Sequence, residues 1–337
     1  MDIPSPQTEK KPKVTLLPIE GAKKLTPADV SPIARQLMAN VEKVIVGKHE
    51  PVMLATAVWL AEGHLLIEDV PGVAKTMLAR AMAQSAGCSF KRIQCTPDLQ
   101  PEDVLGEPRL DPQTGRSEFH FGPLFSQFVL VDEINRASPR TQSALLEAMG
   151  EAMVTAGNVS YKLQKPFMVV ATQNPIEQEG TFLLPEAQKD RFLMRLSLGY
   201  PSLTDEKQMV ERFQLRHPIE TLQPVATPDN ILKCQEAVRE VNVPPAVNDY
   251  ILAIVRATRE HPALMLGASP RASLGLFRAA QAMAAIDGQD SVSAELVKSL
   301  AQKILAHRLI VRREEKFRDV TVANVVEKIL AKTLLPT

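Results

Sequence analysis

Residues 65–83 read "LLIEDVPGVAKTMLARAMA". A short apolar run leads into a turn holding Pro71 and Gly72, and a helical pattern follows. That order describes a buried strand ending in a loop that opens a helix. Lys75 and Thr76 close the loop as they do in the phosphate-binding pattern G-x-x-x-x-G-K-[ST]. The two glycine positions of that pattern hold Asp69 and Ala74 instead. A helix N-terminus presents unpaired N–H groups and the positive end of the dipole, so anions bind there. In this reading Pro71, Gly72, Val73, Ala74, Lys75, Thr76 and Met77 surround a phosphate chain. Lys75 reaches the β- and γ-phosphates and the Thr76 hydroxyl holds Mg²⁺. The extra methyl of Ala74 is tolerated if its φ is negative. A plain strand–turn–helix fits the stretch almost as well, so the loop alone does not decide.

The stretch "FVLVDE" adds a second part. It is an apolar strand closed by Asp132 and Glu133. Carboxylates at the C-terminal end of a central parallel strand face the ligand crevice. Asp132 would hold Mg²⁺ through water, and Glu133 would polarise an attacking water. An acidic pair at a strand end is common. The loop and the acidic pair in this order, 57 residues apart, are far less so. In "VVATQNP", Asn174 follows another apolar strand and could orient that water, although Asn-Pro is also an ordinary turn pair. In "LPEAQKDRF", Arg191 follows an acid in a predicted helix. It is either a surface pair of little value or a bidentate cation for a neighbouring subunit's γ-phosphate. In "GASPRASLGLF", Arg271 sits in the first turn of a helix, where a cation is mildly unfavourable without an anionic partner.

Taken together these pieces resemble the AAA+ ATPases, and within them the MoxR family. The resemblance runs from about Val44 to about Val311. It is carried by "EDVPGVAKT", "TPDLQPEDVLG", "FGPLFSQFVLVDEINRASPRTQSALLEAM", "ATQNPIEQEGTFLLPEAQKDRF" and "GASPRAS". It implies that Lys75 and Thr76 are Walker A, Asp132 and Glu133 Walker B, and Asn174 sensor 1. Arg191 would be the arginine finger and Arg271 sensor 2. Ile45, Val46 and Gly47 of "VIVGKHE" would contact adenine. The resemblance further implies ATP and Mg²⁺ as cofactors, a homo-hexameric ring with sites between subunits, and chaperone-like work on partner proteins. Partners with a von Willebrand factor A domain belong to that expectation.

The rest of the chain fits an α/β protein. Strands alternate with helices as far as Tyr200, which argues for a parallel sheet covered on both faces. Two Gly/Pro-rich hairpins interrupt it, turning at "DPQTG" (111–115) and at Gly157-Asn158. After Tyr200 the periodicity is helical throughout and no strand is apparent. The expected organisation is a flexible tail over residues 1–30, a P-loop AAA+ core over 31–200 and an all-helical lid over 201–337.

The 337 residues carry 39 basic and 39 acidic side chains. That balance offers polyanions no general attraction, so nucleic acid is not an expected partner. Cys88, Cys95 and Cys234 have neither pairing nor metal spacing and read as small apolar residues in a reducing compartment. The N-terminus lacks the apolar region of a signal peptide, and no apolar run is long enough to span a bilayer. The expected location is the cytoplasm.

Two alternatives differ in kind. One is a magnesium-chelatase-like motor subunit or a DNA-remodelling helicase; the helicase would carry cations at its hairpin tips, where "DPQTGRSE" has one Arg and "AGNVSYK" one Lys. A non-hydrolysing nucleotide switch would not need Glu133, Asn174 and Arg191 together.

Overall fold

The computed structural model describes residues 24–110, 117–156, 159–174, 181–214 and 217–335. Most of the expected tail, and the turns at 111–115 and 157–158, lie outside the described residues. Helices α1 (Pro27–Val41) and α2 (His49–Leu60) precede β1 (Leu65–Glu68), α3 (Lys75–Ser85) and β2 (Phe90–Gln94). The short α4 (Pro101–Leu105) leads into a hairpin of β3 (Gly106–Leu110) and β4 (Ser117–Phe121). Next come β5 (Phe128–Asp132), α5 (Pro139–Glu151) and a second hairpin, β6 (Met153–Ala156) with β7 (Val159–Lys162). Strand β8 (Met168–Gln173), the single-turn α6 (Glu186–Lys189) and β9 (Met194–Leu196) complete the core.

The five core strands form one parallel sheet in the order β2-β5-β8-β1-β9. The two wholly buried strands, β5 and β8, are continuous apolar runs at its centre, as a sheet covered on both faces requires. Side chains alternate between two cores, as the strand period of two dictates. Leu65, Ile67, Phe128, Leu130, Met168 and Val170 enter one, where Trp59 meets Phe128 edge-on at 5.2 Å. Leu66, Val129, Val131, Val169 and Ala171 enter the other, against Leu145, Leu146 and Phe192.

The segment after β9 comprises α7 (Leu203–Phe213), α8 (Pro218–Thr221), α9 (Pro228–Val238), α10 (Pro245–Glu260), α11 (Pro270–Ile286), α12 (Ala294–Leu305), α13 (Arg313–Lys316) and α14 (Val322–Lys332). It is helical, with one addition that helical periodicity concealed. A two-stranded ribbon pairs β10 (Leu264–Leu266) with β11 (Ile310–Val311). Segments of two and three residues are too short to register against a 3.6-residue period. The lid shares the larger apolar core with the sheet, and Ser31 Oγ donates to Ile286 O at 2.7 Å, tying α1 to the end of α11.

A candidate ATP site divided between two cavities

The loop between β1 and α3 surrounds a cavity of about 340 Å³ lined by Pro71, Gly72, Ala74, Lys75, Thr76, Met77, Asp132, Glu133 and Asn174. Sequence residues more than a hundred positions apart thus converge at the C-terminal ends of β1, β5 and β8. Helix α3 begins at Lys75 with no side-chain cap on its N-terminus, leaving its first N–H groups available to an anion. Lys75 Nζ donates to Asp69 O at 2.8 Å, across the loop.

Ala74 departs from the expectation of negative φ. Its φ is +62° and ψ +22°, the left-handed conformation a glycine would take there. The loop has therefore kept its shape and accepted a strained alanine, at a cost of roughly 1–2 kcal/mol. Gly72 has φ +84°, and a side chain there would meet nothing within 4 Å. Backbone sign, rather than space, requires that glycine. Asp69, at the first glycine position, has a separate task. Its Oδ2 accepts from Gly199 N (2.7 Å), Leu198 N and Ser197 Oγ, and its Oδ1 from Val70 N (2.9 Å). Partial burial pushes this carboxyl up, but the four donors outweigh it and hold it below its ordinary value. The loop is thereby pinned to the segment that leads from β9 into the lid.

Asp132 is buried, and Thr172 Oγ1 donates to its Oδ1 at 2.5 Å. Arg92 donates to Oδ2 through Nη2 (2.7 Å) and Nε (3.1 Å). Glu133, in a left-handed turn at φ +55°, accepts on Oε2 from Gln94 Nε2 (3.2 Å) and Arg136 Nη1 (3.1 Å). Arg92, Gln94, Arg136 and Thr172 were missed at the sequence level. The available signal was the set of polar residues in the edge strand β2, Lys91, Arg92 and Gln94, the last directly in register with Asp132.

The geometry fits Mg²⁺ bound with a nucleotide. Among the described residues no group of three or more acidic, His or Cys side chains could hold a metal unaided. Mg²⁺ characteristically takes one or two protein ligands and completes its shell with phosphates and water. The buried Asp132 carboxylate already attracts a cation, the Arg92 guanidinium.

The remaining sequence-predicted residues lie as follows. Val73 and Ile45 are buried in the apolar core, so their side chains are not offered to a ligand. Val46 and Gly47 do not line the P-loop cavity; Gly47 lies against the Asp205 carboxylate of α7 so closely that a Cβ would clash. Arg191 is in the turn after α6, because that helix stops at Lys189. Arg191 and Arg271 are both absent from the P-loop cavity and instead line a second one of about 250 Å³, together with Arg278, Arg308 and His64. Arg191 Nη1 donates to Leu146 O at 2.5 Å. His64 accepts at Nδ1 from Val169 N (3.0 Å) and donates from Nε2 to Met149 O (3.1 Å). Burial pushes its pKa down to about 4, so the ring is neutral. Burial also pushes the thiols of Cys88, Cys95 and Cys234 up to about 12, leaving them unreactive.

A parallel P-loop sheet with acidic residues at the tip of β5 and a helical lid defines an AAA+ ATPase. Residues 64–194 match the model of the ATPase family associated with various cellular activities, and residues 256–329 match the AAA lid domain. The chain is 44% identical to the uncharacterized protein YeaC of Bacillus subtilis, over 91% of this chain and 96% of that one. It is 39% identical to Chaperone MoxR1 of Mycobacterium tuberculosis, over 95% and 86% respectively. A solved structure from Cytophaga hutchinsonii, named only as a candidate ATPase, superposes with a TM-score of 0.86 at 35% identity, over 92% of this chain and 97% of that one. The chain belongs to the MoxR family of AAA+ ATPases. Among the described residues no helix is long and apolar enough to cross a membrane.

Proposed function

We propose that this protein hydrolyses ATP with Mg²⁺ at sites completed between subunits of a homo-hexameric ring, and that the cycle remodels or activates partner proteins in the cytoplasm. The observation that carries this reading is the division of parts. The nucleotide-binding half, Lys75, Thr76, Asp132, Glu133 and Asn174, lines one cavity, while Arg191 and Arg271 line another with no lining residue in common. One chain then supplies the binding groups of its own site and the charge-stabilising arginines of its neighbour's.

In this mechanism the loop N–H groups and Lys75 bind the β- and γ-phosphates. Glu133, released from Gln94 and Arg136, accepts the proton of the attacking water, which Asn174 orients. Arg191 and Arg271 of the adjacent subunit stabilise charge on the transferred phosphoryl group. Mg²⁺ would be held by Thr76 and, through water, by Asp132, and would neutralise phosphate charge. The Asp69 contacts to Ser197, Leu198 and Gly199 tie the loop to the segment that leads from β9 toward the lid. Work on client proteins is supported by the name of the mycobacterial relative, a chaperone; proteins with a von Willebrand factor A domain are the partner class proposed. Neither the chelatase-like or DNA-remodelling motor nor the non-hydrolysing switch is favoured by a specific observation.

The test uses three variants. Glu133→Gln should bind ATP and not turn it over; Lys75→Ala should fail to bind. Arg191→Ala should lose about 10³-fold or more in rate and regain activity when mixed with Glu133→Gln subunits. Wild-type hydrolysis by Glu133→Gln, or absence of rescue at every mixing ratio, would overturn the reading.

A further inference from the structure

Arg191 and Arg271 belong to different parts of the fold, one to a core turn and the other to a lid helix. We propose that Asp190 and Arg308 are positioning residues that bind these two parts into one rigid element. The inference rests on the reading that both arginines act on a neighbouring subunit's nucleotide.

Asp190 occupies the bridge between them. Its Oδ1 accepts from Arg308 Nε at 2.8 Å, and its Oδ2 accepts from Ser269 Oγ at 2.7 Å. Ser269 is the N-cap of α11, and its Oγ accepts in turn from the N–H of Arg271 at 3.1 Å. The residue preceding Arg191 therefore holds the hydroxyl that fixes the backbone of Arg271.

Arg308 comes from the turn after α12 and is buried, its side chain 3% exposed. Its guanidinium donates to Phe192 O (2.6 Å), Leu193 O (3.1 Å) and Asp190 O (3.4 Å), and also to Ile304 O. His307 Nε2 donates to Phe192 O at 3.0 Å. Two consecutive lid residues thus clamp the carbonyls around Arg191. From the core side, Leu193 N donates to His64 O at 2.8 Å.

Buried ion pairs are a poor source of stability compared with apolar packing, and their best-attested use is to specify one arrangement. Here the arrangement specified is the relative placement of two cations in one cavity. With the lid gripping the turn, Arg191 and Arg271 keep a fixed relative placement, so that both meet the neighbour's nucleotide in one geometry. Misplacing such a group by an ångström can cost about a hundredfold in rate.

The test uses the full-length chain. Asp190→Asn removes the charge from the bridge at nearly constant volume, and should lower kcat by about ten- to a hundredfold while changing the ATP dissociation constant by less than about twofold. Mixed with Glu133→Gln subunits it should regain turnover. Should Asp190→Asn not fold, Ser269→Ala cuts the same bridge on the lid side and should lower kcat alone, with Ser269→Thr restoring it. Arg191→Ala mixed with Glu133→Gln is the control. Rescue of that control together with unimpaired kcat in Asp190→Asn or Ser269→Ala overturns the positioning role alone. So does a loss in either variant that mixing does not restore. No rescue of the control overturns the shared-site reading and this inference with it.

Discussion

Arg92 places two guanidinium N–H groups on a single oxygen of Asp132, at 2.7 and 3.1 Å, from the strand next to it. A protein cation thus stands beside the carboxylate assigned to the metal. Arg92 is half-exposed, so the pair is worth only about 0.2–1 kcal/mol. Arg92→Ala should therefore strengthen divalent-metal binding by up to about fivefold. Titration of the ADP-loaded chain with Mn²⁺, followed by electron paramagnetic resonance, measures this directly. Equal or weaker Mn²⁺ binding in the variant would show that Arg92 does not compete.

Ala74 sits at φ +62° in a loop that already has the shape glycine would give it. Ala74→Gly should relieve that strain, less the entropy glycine returns to the unfolded chain. The expected net gain is about 0.5–1 kcal/mol in stability, read as a higher urea midpoint. ADP affinity should stay within about twofold, because the backbone donors are in place already. A tenfold gain in ADP affinity would mean that alanine distorts the loop after all.

Arg191 crosses α5 at Gly150, where a Cβ would lie 2.2 Å from Arg191 Nη1. Gly150→Ala should force the guanidinium away from Leu146 O while improving helix propensity by up to about 1 kcal/mol. The unusual combination of an equal or higher melting temperature and at least about tenfold slower hydrolysis is expected, with ADP binding unchanged. Wild-type turnover would show that the path of Arg191 over α5 has no part in catalysis.

These three positions also explain what could be read from sequence. Lys75, Asp132 and Asn174 were legible because each closes or follows an apolar strand, and a strand-to-loop boundary leaves a strong local pattern. Arg92 and Gln94 were not, because their significance depends on β2 pairing with β5, a neighbour fixed only by topology. Asp69 was legible as a missing glycine but not as an anchor. Its partners at Ser197, Leu198 and Gly199 lie about 130 residues away. Arg191 and Arg271 were found by motif, yet their shared cavity arises from lid packing, which no local period encodes. The β10–β11 ribbon escaped for a simpler reason, its length.

His64 and His307 make stability depend on pH in a definite direction. His64 is buried with both ring nitrogens engaged, and its pKa is pushed from 6.5 to about 4. Burial lowers His307 as well. A depressed histidine is neutral in the fold and takes up its proton on unfolding. Its stabilisation is therefore complete above pH 6.5 and declines as pH falls toward 4. For His64 the full span corresponds to about 3 kcal/mol, and the part lost between pH 7.5 and 5 to about 2 kcal/mol. His64→Gln can accept from Val169 N and donate to Met149 O without titrating. Urea midpoints for the native chain should fall markedly between pH 7.5 and 5, and those of His64→Gln should fall less. Parallel midpoints for the two proteins would remove His64 as a source of the acid sensitivity.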